Sequence, residues 1–320
     1  MWYVERGKVP NHAGCKPPNN VHFCIMLSNR YITSPLRFPG GKSRALERII
    51  PLISPFREFR EPMVGGGSVF LRVKQIYPRC QYWINDINYE LYCFWKMTRD
   101  NVGALVDAVR EIKERRQDGR QLFYELVENY GSGSELERAV RFFVLNRITF
   151  SGTVDSGGYS EHAFHGRFTH SSIKALQRVS AVLQGVRITN LDYAEVLKAP
   201  GEDVFIFLDP PYYSAARSRL YGRRGELHTG FDHVRFAEVV KQCPHRWLIT
   251  YDDCPEVRRL FADACIVQWQ LQYGMNNYKQ PFARPGKELF IANYDIASRY
   301  QKQLALLLEQ RTGYLAHEDE

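Results

Sequence analysis

The sequence predicts an α/β fold, in which a mostly parallel sheet carries helices on both faces and a mostly helical domain is inserted into it. Two observations predict this fold. The extended stretch EFREPMV, the glycine-rich GGGS, the apolar-periodic VFLRVKQI and a second extended stretch, QYWINDIN, form a β-loop-α-β unit within residues 58–88. Residues 89–171 then have helical apolar spacing, and β/α alternation resumes after residue 172.

The remaining elements are predicted from apolar spacing and turn residues. Apolar side chains three or four apart predict helices at 45–53, 102–116, 122–130, 136–149, 173–183, 234–241, 255–261 and 297–310. Apolar or alternating runs predict strands at 186–190, 203–213, 247–253, 265–273 and 287–294. The predicted domains are an N-terminal extension at 1–33, a first α/β part at 34–88, the helical insertion at 89–171, a second α/β part at 172–296 and a C-terminal helix and tail at 297–320.

Composition limits the class of protein. The 320 residues, with 44% hydrophobic content, are enough to bury an ordinary core, and no apolar run reaches the roughly 18 residues of a membrane helix. The N-terminus lacks the basic-then-apolar pattern of a signal peptide, so a cytoplasmic protein is expected. A formal net charge of +8 fits a polyanionic partner, although many basic proteins share such a charge.

The segment EPMVGGGS falls where the first strand turns into a helix. Its glycines, Gly65 and Gly67, let the backbone approach a ligand that a Cβ atom would block, and a tight turn with positive φ is the alternative. Asp86 ends the next strand about 25 residues after Glu61, near the distance at which nucleotide-binding sheets place an acidic group on a ribose. A helix cap is the competing interpretation of Asp86.

The run DPPY follows 204–208, whose apolar residues predict a buried central strand. Two prolines cannot continue the ladder, so the chain must break there and expose its carbonyl groups. The Asp209 carboxylate and the Pro210 carbonyl would then accept two hydrogen bonds from a planar amino group, while Tyr212 stacks on the ring that carries it. A rigid Pro-Pro turn capped by Asp209 is the alternative.

The motifs FPGGKSR, EPMVGGGSVFL, NDIN, LNR followed by FSG, GRF and DPPYY resemble, in that order, those of the Dam-type DNA adenine (N6) methyltransferases. The resemblance covers about 35–294 and implies a Rossmann-like S-adenosylmethionine-dependent methyltransferase sheet. It also implies a site-specific enzyme that transfers a methyl group from S-adenosylmethionine directly to the N6 amino group of a flipped-out adenine in DNA. Acceptors on that amine would aim its lone pair at the methyl group.

The resemblance assigns site residues motif by motif. The catalytic residues are Asp209, Pro210, Pro211 and Tyr212. The residues that bind S-adenosylmethionine are Phe38, Gly40, Gly41, Lys42, Glu61, Gly65, Gly67, Ser68, Asp86, Asp192 and Tyr193. For Asp192, a helix cap is again the competing interpretation.

DNA contact is predicted for residues of the helical insertion and of the basic segment 214–229, namely Asn146, Arg147, Tyr159, Arg167, Phe168 and Arg217. The basic segment would clamp phosphates or hold the flipped base, and a merely solvated loop is the alternative. The stretch TVDSGGYSEHA differs from the shorter hairpin with which Dam reads GATC, so the target sequence is left open. Double-stranded DNA is the expected partner of a monomer, and a cognate restriction endonuclease is left open.

No metal site is predicted. The seven cysteines are odd in number and form no CxxC pair, which argues against both a zinc site and a disulfide framework. The neighbouring His162, His165 and His170 are better explained by a solvated or DNA-facing loop than by a metal site.

Two other functions compete with methylation of DNA adenine. A DPPY-like turn suits any planar exocyclic amine, so an amino-methyltransferase acting on RNA or on another base is one alternative. A catalytically silent DNA-binding homologue that keeps only the fold is the other. Intact Gly65, Asp86, Asp209 and Tyr212 argue against the silent homologue.

Overall fold

The computed structural model describes residues 31–154, 157–213, 230–271 and 286–303. Its strands are β1 (Glu58–Glu61), β2 (Gln81–Asn85), β3 (Arg187–Thr189), β4 (Val204–Leu208), β5 (Arg246–Asp252), β6 (Cys265–Leu271) and β7 (Gly286–Ala292). They form one seven-stranded sheet in the order β3-β2-β1-β4-β5-β7-β6. Strands β1 to β5 pair in parallel, and β7 runs antiparallel between β5 and β6. The predicted α/β class is confirmed.

Helices connect these strands. They are α1 (Leu46–Ile49), α2 (Ser68–Ile76), α3 (Tyr89–Asp100), α4 (Val102–Arg115), α5 (Gly119–Glu128), α6 (Glu135–Ile148), α7 (Glu161–Arg167), α8 (His170–Leu183), α9 (Tyr193–Lys198), α10 (His233–Lys241) and α11 (Pro255–Leu260). Helices α3 to α8 all lie between β2 and β3, in the stretch with helical apolar spacing. Within the described ranges, no helix has the length and hydrophobicity needed to cross a membrane.

The central strand β4 is buried on both faces because all five of its residues are apolar. Phe205 and Phe207 point into the core formed with α2 and the helices between β2 and β3. Val204, Ile206 and Leu208 point the opposite way, into the core formed with α9, α10 and α11. Helices therefore cover both faces of the sheet, as predicted.

The strand order reverses between β1 and β4. From β1 the sheet continues to β2 and β3 on one side, and from β4 it continues to β5 on the other. In an open parallel sheet, ligands bind in the crevice outside the carboxyl ends of the strands at such a reversal. The glycine segment follows β1 and Asp209 follows β4, so the fold brings these two sequence signals to the same crevice.

The helices between β2 and β3 are fixed firmly to the sheet. Helix α3 packs against α6 and α8. The rings of Phe94 and Phe143 stack with centroids 5.9 Å apart and planes 3° apart, and the same apolar core continues to Phe59 and Phe205 in the sheet. A surface on these helices therefore has a fixed position relative to the crevice.

Several elements differ from the prediction. The predicted helix 45–53 is wrong in extent: α1 ends at Ile49 and is followed by a 3-10 turn at Ile50–Leu52, because Pro51 has no N–H to continue an α-helix. A second 3-10 turn, at Lys42–Arg44, precedes α1. Helix α7 lies in the polar stretch after residue 151, where apolar spacing predicts no separate helix. Helices α3 and α9 are also absent from the individual helices predicted by apolar spacing. The predicted helix 297–310 is present as far as residue 303, and the rest of it lies outside the described residues, as do residues 1–30.

Candidate active site

A cavity of about 320 Å³ lies at the carboxyl ends of β1, β2 and β4, a volume typical of small-molecule sites. Most residues predicted for catalysis and cofactor binding line it: Phe38, Gly41, Lys42, Glu61, Gly65, Gly67, Ser68, Asp86, Asp192, Tyr193, Asp209 and Pro211. Gly40 adjoins the lining, since its carbonyl accepts from Lys42 Nζ at 2.9 Å. Pro210 and Tyr212 adjoin it as chain neighbours of Asp209 and Pro211.

The glycine segment is a tight turn packed from the side. Gly65 and Gly67 have φ angles of +46° and +65°, a region that L side chains rarely adopt. A Cβ atom on Gly65 would come within 2.8 Å of the Phe38 ring, and one on Gly67 within 2.9 Å of the Trp95 ring. The tight-turn interpretation is therefore correct, and the same turn lines the cavity.

Asp86 joins the turn after β1 to the loop after β2. Its Oδ2 accepts from the Gly65 N–H at 3.0 Å, and its Oδ1 accepts from the Asn88 N–H at 3.0 Å. Asn88, and not Asp86, caps α3, by accepting from the N–H groups of Glu90 and Leu91. The helix-cap interpretation of Asp86 is therefore wrong. Desolvation raises the pKa of Asp86 to about 6.

Asp192 does cap a helix. Its carboxylate accepts from the Ala194 N–H at 2.8 Å, and Glu195 completes a capping box at the start of α9. The same carboxylate pairs with Arg235 of α10 at 3.0 and 3.2 Å. The Arg235 guanidinium lies 5.0 Å from the centroid of the Tyr193 ring. Asp192 thus caps α9 and also lines the cavity.

Two donors hold the carboxylate of Asp209. Lys42 Nζ lies 2.7 Å from each of its oxygens, and Thr250 Oγ1 donates to Oδ1 at 2.7 Å. The Lys42 side chain is only 3% exposed, whereas that of Asp209 is 23% exposed. The carboxylate at the end of β4 is therefore oriented from the protein side and keeps lone pairs for a further donor. Lys42, predicted from the sequence to bind a cofactor, makes a direct contact with the catalytic motif.

Further carboxyl groups surround this ion pair. Glu61 is buried, and burial followed by the charge of Asp209 raises its pKa well above the ordinary value. Tyr212 donates its hydroxyl hydrogen to Glu288 Oε2 at 2.9 Å, and Lys42 Nζ lies 4.9 Å from the centroid of its ring. Burial raises the pKa of Glu288 to about 7. Of these carboxyl groups, those of Glu61 and Asp209 line the cavity, where they can accept hydrogen bonds from a ligand that donates them.

Two residues predicted to contact DNA are buried. Asn146 has no exposed surface, and its side chain bonds the N–H and C=O of Arg37 at 2.9 and 2.8 Å and the carbonyl of Gly152 at 3.0 Å. Phe168 is likewise fully buried in the apolar core. The predicted direct DNA contact is therefore wrong for both residues. Asn146 instead fixes the segment that leads into FPGGK.

Arg37, Arg147 and Arg167 form a cluster of positive charge. Arg147 donates to the carbonyl of Arg167 at 2.7 and 2.9 Å and to that of Pro35 at 3.1 Å, and Arg37 donates to that of Thr149 at 3.2 Å. Burial, followed by the charges of the other two arginines, lowers the pKa of Arg147 to about 10. Among the described residues, no carboxylate forms an ion pair with this cluster. Its uncompensated charge suits a phosphate group.

The other predicted DNA contacts lie apart from the arginine cluster or outside the described residues. Tyr159 is half-buried, and its hydroxyl donates to Glu161 at 2.8 Å. The Arg120 guanidinium lies 5.4 Å from the Tyr159 ring centroid, so positive charge adjoins this ring. Arg217 lies outside the described residues, together with the whole basic segment 214–229.

Sequence reasoning missed five residues of these sites. Arg37 stands directly before FPGG, which is a signal in the sequence. Thr250 and Glu288 are polar residues that adjoin apolar runs of β5 and β7. Phe231 and Arg235 line the cavity from the loop before α10 and from α10 itself, and no signal in the sequence marks them.

A family model described as D12 class N6 adenine-specific DNA methyltransferase matches residues 38–275. The Type II methyltransferase M.MjaIII of Methanocaldococcus jannaschii is 24% identical over 196 residues, which are 55% of this chain and 68% of that protein. The DNA adenine methylase of Vibrio cholerae is 23% identical over 238 residues, which are 72% of this chain and 84% of that protein.

A phage protein is similar over a smaller share of its own length. The DNA N-6-adenine-methyltransferase of Escherichia phage P1 is 26% identical over 237 residues, which are 71% of this chain and 31% of that protein. The family match at 38–275 spans most of the chain and includes the glycine turn, Asp86 and the DPPY run. The predicted family is thereby confirmed, and the chain belongs to the D12 class N6 adenine-specific DNA methyltransferases, which methylate adenine in DNA.

Proposed function

We propose that the chain binds S-adenosylmethionine in the glycine-lined cavity and transfers its methyl group to N6 of an adenine that has left double-stranded DNA. One observation carries this proposal. The turn that contains Gly65 and the carboxylate of Asp209 line the same cavity, at the reversal of the strand order. A methyl donor and a target amine would therefore meet without any movement of the sheet.

The residues of the cavity fit S-adenosylmethionine. After its two main-chain bonds, Asp86 keeps a lone pair on each oxygen, enough to accept from two ribose hydroxyl groups. Tyr193 and the half-exposed Ile87 offer apolar surface to an adenine ring. The carboxyl groups of Glu61 and Asp192 line the cavity and offer hydrogen-bond acceptors to the ammonium group of the ligand. When bound, S-adenosylmethionine supplies an electrophilic methyl group on its sulfur.

Asp209 and Pro210 are the proposed acceptors for the target amine. The nitrogen of an adenine amino group is a weak nucleophile because its lone pair is delocalised into the base. Two acceptors on its hydrogens favour a tetrahedral nitrogen whose lone pair is free to attack. Lys42 and Thr250 hold the Asp209 carboxylate in one orientation, so the acceptor is in place when the base arrives. Tyr212 is the proposed stacking ring for that base.

The arginine cluster is the proposed contact with the DNA backbone. The guanidinium groups of Arg37 and Arg147 are held by main-chain carbonyl groups, so their positions are fixed while their charges stay uncompensated. Arg37 belongs to the chain segment that runs directly into Lys42, and Lys42 contacts the Asp209 carboxylate. One short segment therefore connects the cluster to that carboxylate. The helical stretch 89–171 is the proposed target-recognition domain, with the α/β parts at 34–88 and 172–296 as the proposed catalytic domain.

The experiment is methyl transfer from tritiated S-adenosylmethionine by the purified full chain. DNA from a methylation-free host is the substrate, and the digested product is resolved into nucleosides. Tritium in N6-methyl-2′-deoxyadenosine is expected, and tritium in another base, or in RNA offered in a parallel reaction, would favour the alternative amine substrates. The same assay on Asp209→Ala should show no transfer, while calorimetry with S-adenosylhomocysteine shows nearly unchanged affinity. Glu238→Ala, at an exposed carboxylate of α10, is the matched control and should stay fully active.

A single chain is the proposed active unit, since one chain supplies the glycine turn, the DPPY run and the arginine cluster. Sedimentation of the purified protein at assay concentration tests this, and a stable dimer would contradict it. A cognate restriction endonuclease is a hypothesis suggested by the Type II name of the Methanocaldococcus relative. We keep the cytoplasmic location as part of the proposal because the substrate is DNA.

A further inference from the structure

Glu288 is a buried ionisable residue near the start of a strand of the sheet. It lies on β7, opposite Asp252 of β5 and Trp269 of β6, and is only 1% exposed. The four residues that follow it, 289–292, are all buried and apolar. Burial of an ionisable group destabilises a fold unless hydrogen bonds or ion pairs replace its lost hydration. A carboxyl group at this position therefore indicates a role other than packing.

The hydrogen bonds of Glu288 point to Tyr212. Its Oε2 accepts from the Tyr212 hydroxyl at 2.9 Å, whereas its buried Oε1 has no partner among the described residues. Three other charged groups act on it, Lys42, Asp209 and Asp252. If the position served packing alone, an apolar side chain of similar volume would fill it without leaving a buried oxygen unbonded, and the fold would be more stable.

We propose that Glu288 is a positioning residue for methyl transfer, which fixes the Tyr212 ring beside the Asp209–Lys42 pair through its bond to the phenolic hydroxyl. The inference rests on the proposed function, because it takes Tyr212 as the ring that stacks on the target base. A tyrosine ring turns about two torsions, and a bond at its far end holds the plane of the ring. The Tyr251 ring, with its centroid 6.1 Å from that of Tyr212, supports the same plane from the side.

The fixed ring plane has a kinetic consequence. A stacked base follows the plane of its partner ring, so a tilt of Tyr212 moves the target amine away from the Asp209 carboxylate. A displacement of about 1 Å costs on the order of a hundredfold in rate. Loss of the Glu288 bond should therefore lower kcat and leave the binding of S-adenosylmethionine unaffected, because the bond lies on the DPPY side of the cavity.

The test is a double-mutant cycle with Glu288→Met and Tyr212→Phe, measured by tritium transfer to DNA. Met keeps the buried volume of Glu, and Phe keeps the ring of Tyr. Each single variant should lose about tenfold to a hundredfold in kcat, with the KM of S-adenosylmethionine within about twofold of normal. The double variant should lose no more than the larger single loss, because both changes remove the same bond. Glu288→Gln, which keeps an acceptor for the hydroxyl, should retain about half of kcat.

Two results would overturn the inference: a normal kcat in Tyr212→Phe, or single losses that multiply in the double variant. If Glu288→Met fails to fold, Tyr212→Phe and Glu288→Gln still decide, since both keep the shape of the original side chain. Glu238→Ala, at an exposed position, is again the control variant and should keep the wild-type kcat. A wild-type chain that transfers no methyl group would overturn the proposed function and this inference with it. An active wild type with a fully active Tyr212→Phe would overturn this inference alone.

Discussion

The ion pair between Lys42 and Asp209 gives the sharpest test of the site. Lys42→Met removes the ammonium that lies 2.7 Å from both oxygens of Asp209 and keeps most of the buried side-chain volume. A hydrogen bond to a charged group contributes roughly 1.5–3 kcal/mol, and Thr250 remains as the second donor. We therefore expect the free energy of unfolding to fall by about 2 kcal/mol. We expect kcat to fall about a hundredfold, because the acceptor for the amine loses its fixed orientation.

Two measurements separate the roles of Lys42. Urea unfolding gives the stability, and tritium transfer gives kcat and the KM of S-adenosylmethionine. A normal kcat with a raised KM would refute the orienting role and support the cofactor contact that the sequence predicts. Lys241→Met is the matched control and should change neither quantity, because Lys241 is 46% exposed and lies 3.9 Å from its partner Asp263.

Three further predictions follow from the cavity and the arginine cluster. Burial raises the pKa of Asp86 to about 6, so the affinity for S-adenosylhomocysteine, measured by calorimetry, should rise as pH increases through 6 and the carboxylate forms. Asp86→Asn should bind more weakly and should lack this rise. Gly65→Ala places a Cβ atom 2.8 Å from the Phe38 ring at a residue with φ +46°, so it should lower the free energy of unfolding, measured in urea, by about 1–2 kcal/mol. Gly103→Ala is the control and should cause no such loss, because open space surrounds Gly103. Arg167→Ala should weaken DNA binding measured by anisotropy and reduce the slope of log K against log salt by about 0.9, and an unchanged slope would exclude a phosphate contact.

The fold and the floor of the cavity can be predicted because their signals are local. A glycine run and a double proline each mark the end of a buried strand, and a parallel sheet brings such ends to one edge. Gly65, Asp86 and Asp209 therefore follow from their own neighbours in the sequence. The helix broken at Pro51 was predictable in the same way, since a proline interrupts the ladder of an α-helix.

Contacts between distant segments carry no local signal. Asn146 and Phe168 belong to sequence motifs that resemble those of a DNA-contacting family. A motif does not show which of its side chains face the core, and both of these are fully buried. Arg37 meets Arg147 only in the folded chain, across more than a hundred residues of sequence. Glu288 is marked only as a carboxyl group before the apolar run of β7, and its surroundings become evident only when β7 is placed beside β5.

One segment, residues 35–42, connects the arginine cluster to the catalytic carboxylate. Asn146 and Arg147 bond its main chain at one end, and Lys42 reaches Asp209 at the other. Contacts next to the proposed DNA-binding cluster therefore hold the segment that carries Lys42. We expect from this arrangement that the buried Asn146 affects turnover without touching DNA.

Asn146→Ala tests that role. The substitution removes three bonds, to the N–H and C=O of Arg37 and to the carbonyl of Gly152, and leaves these main-chain groups buried. An unsatisfied buried group costs about 1–3 kcal/mol, so we expect the free energy of unfolding to fall by about 3 kcal/mol. At saturating DNA, kcat should fall more than tenfold. The DNA dissociation constant should rise less than in Arg167→Ala, because Asn146 itself has no exposed surface and all three arginines are retained. A weakened DNA affinity with a normal kcat would mean that the segment does not connect the two sites and that Asn146 acts at the DNA surface after all.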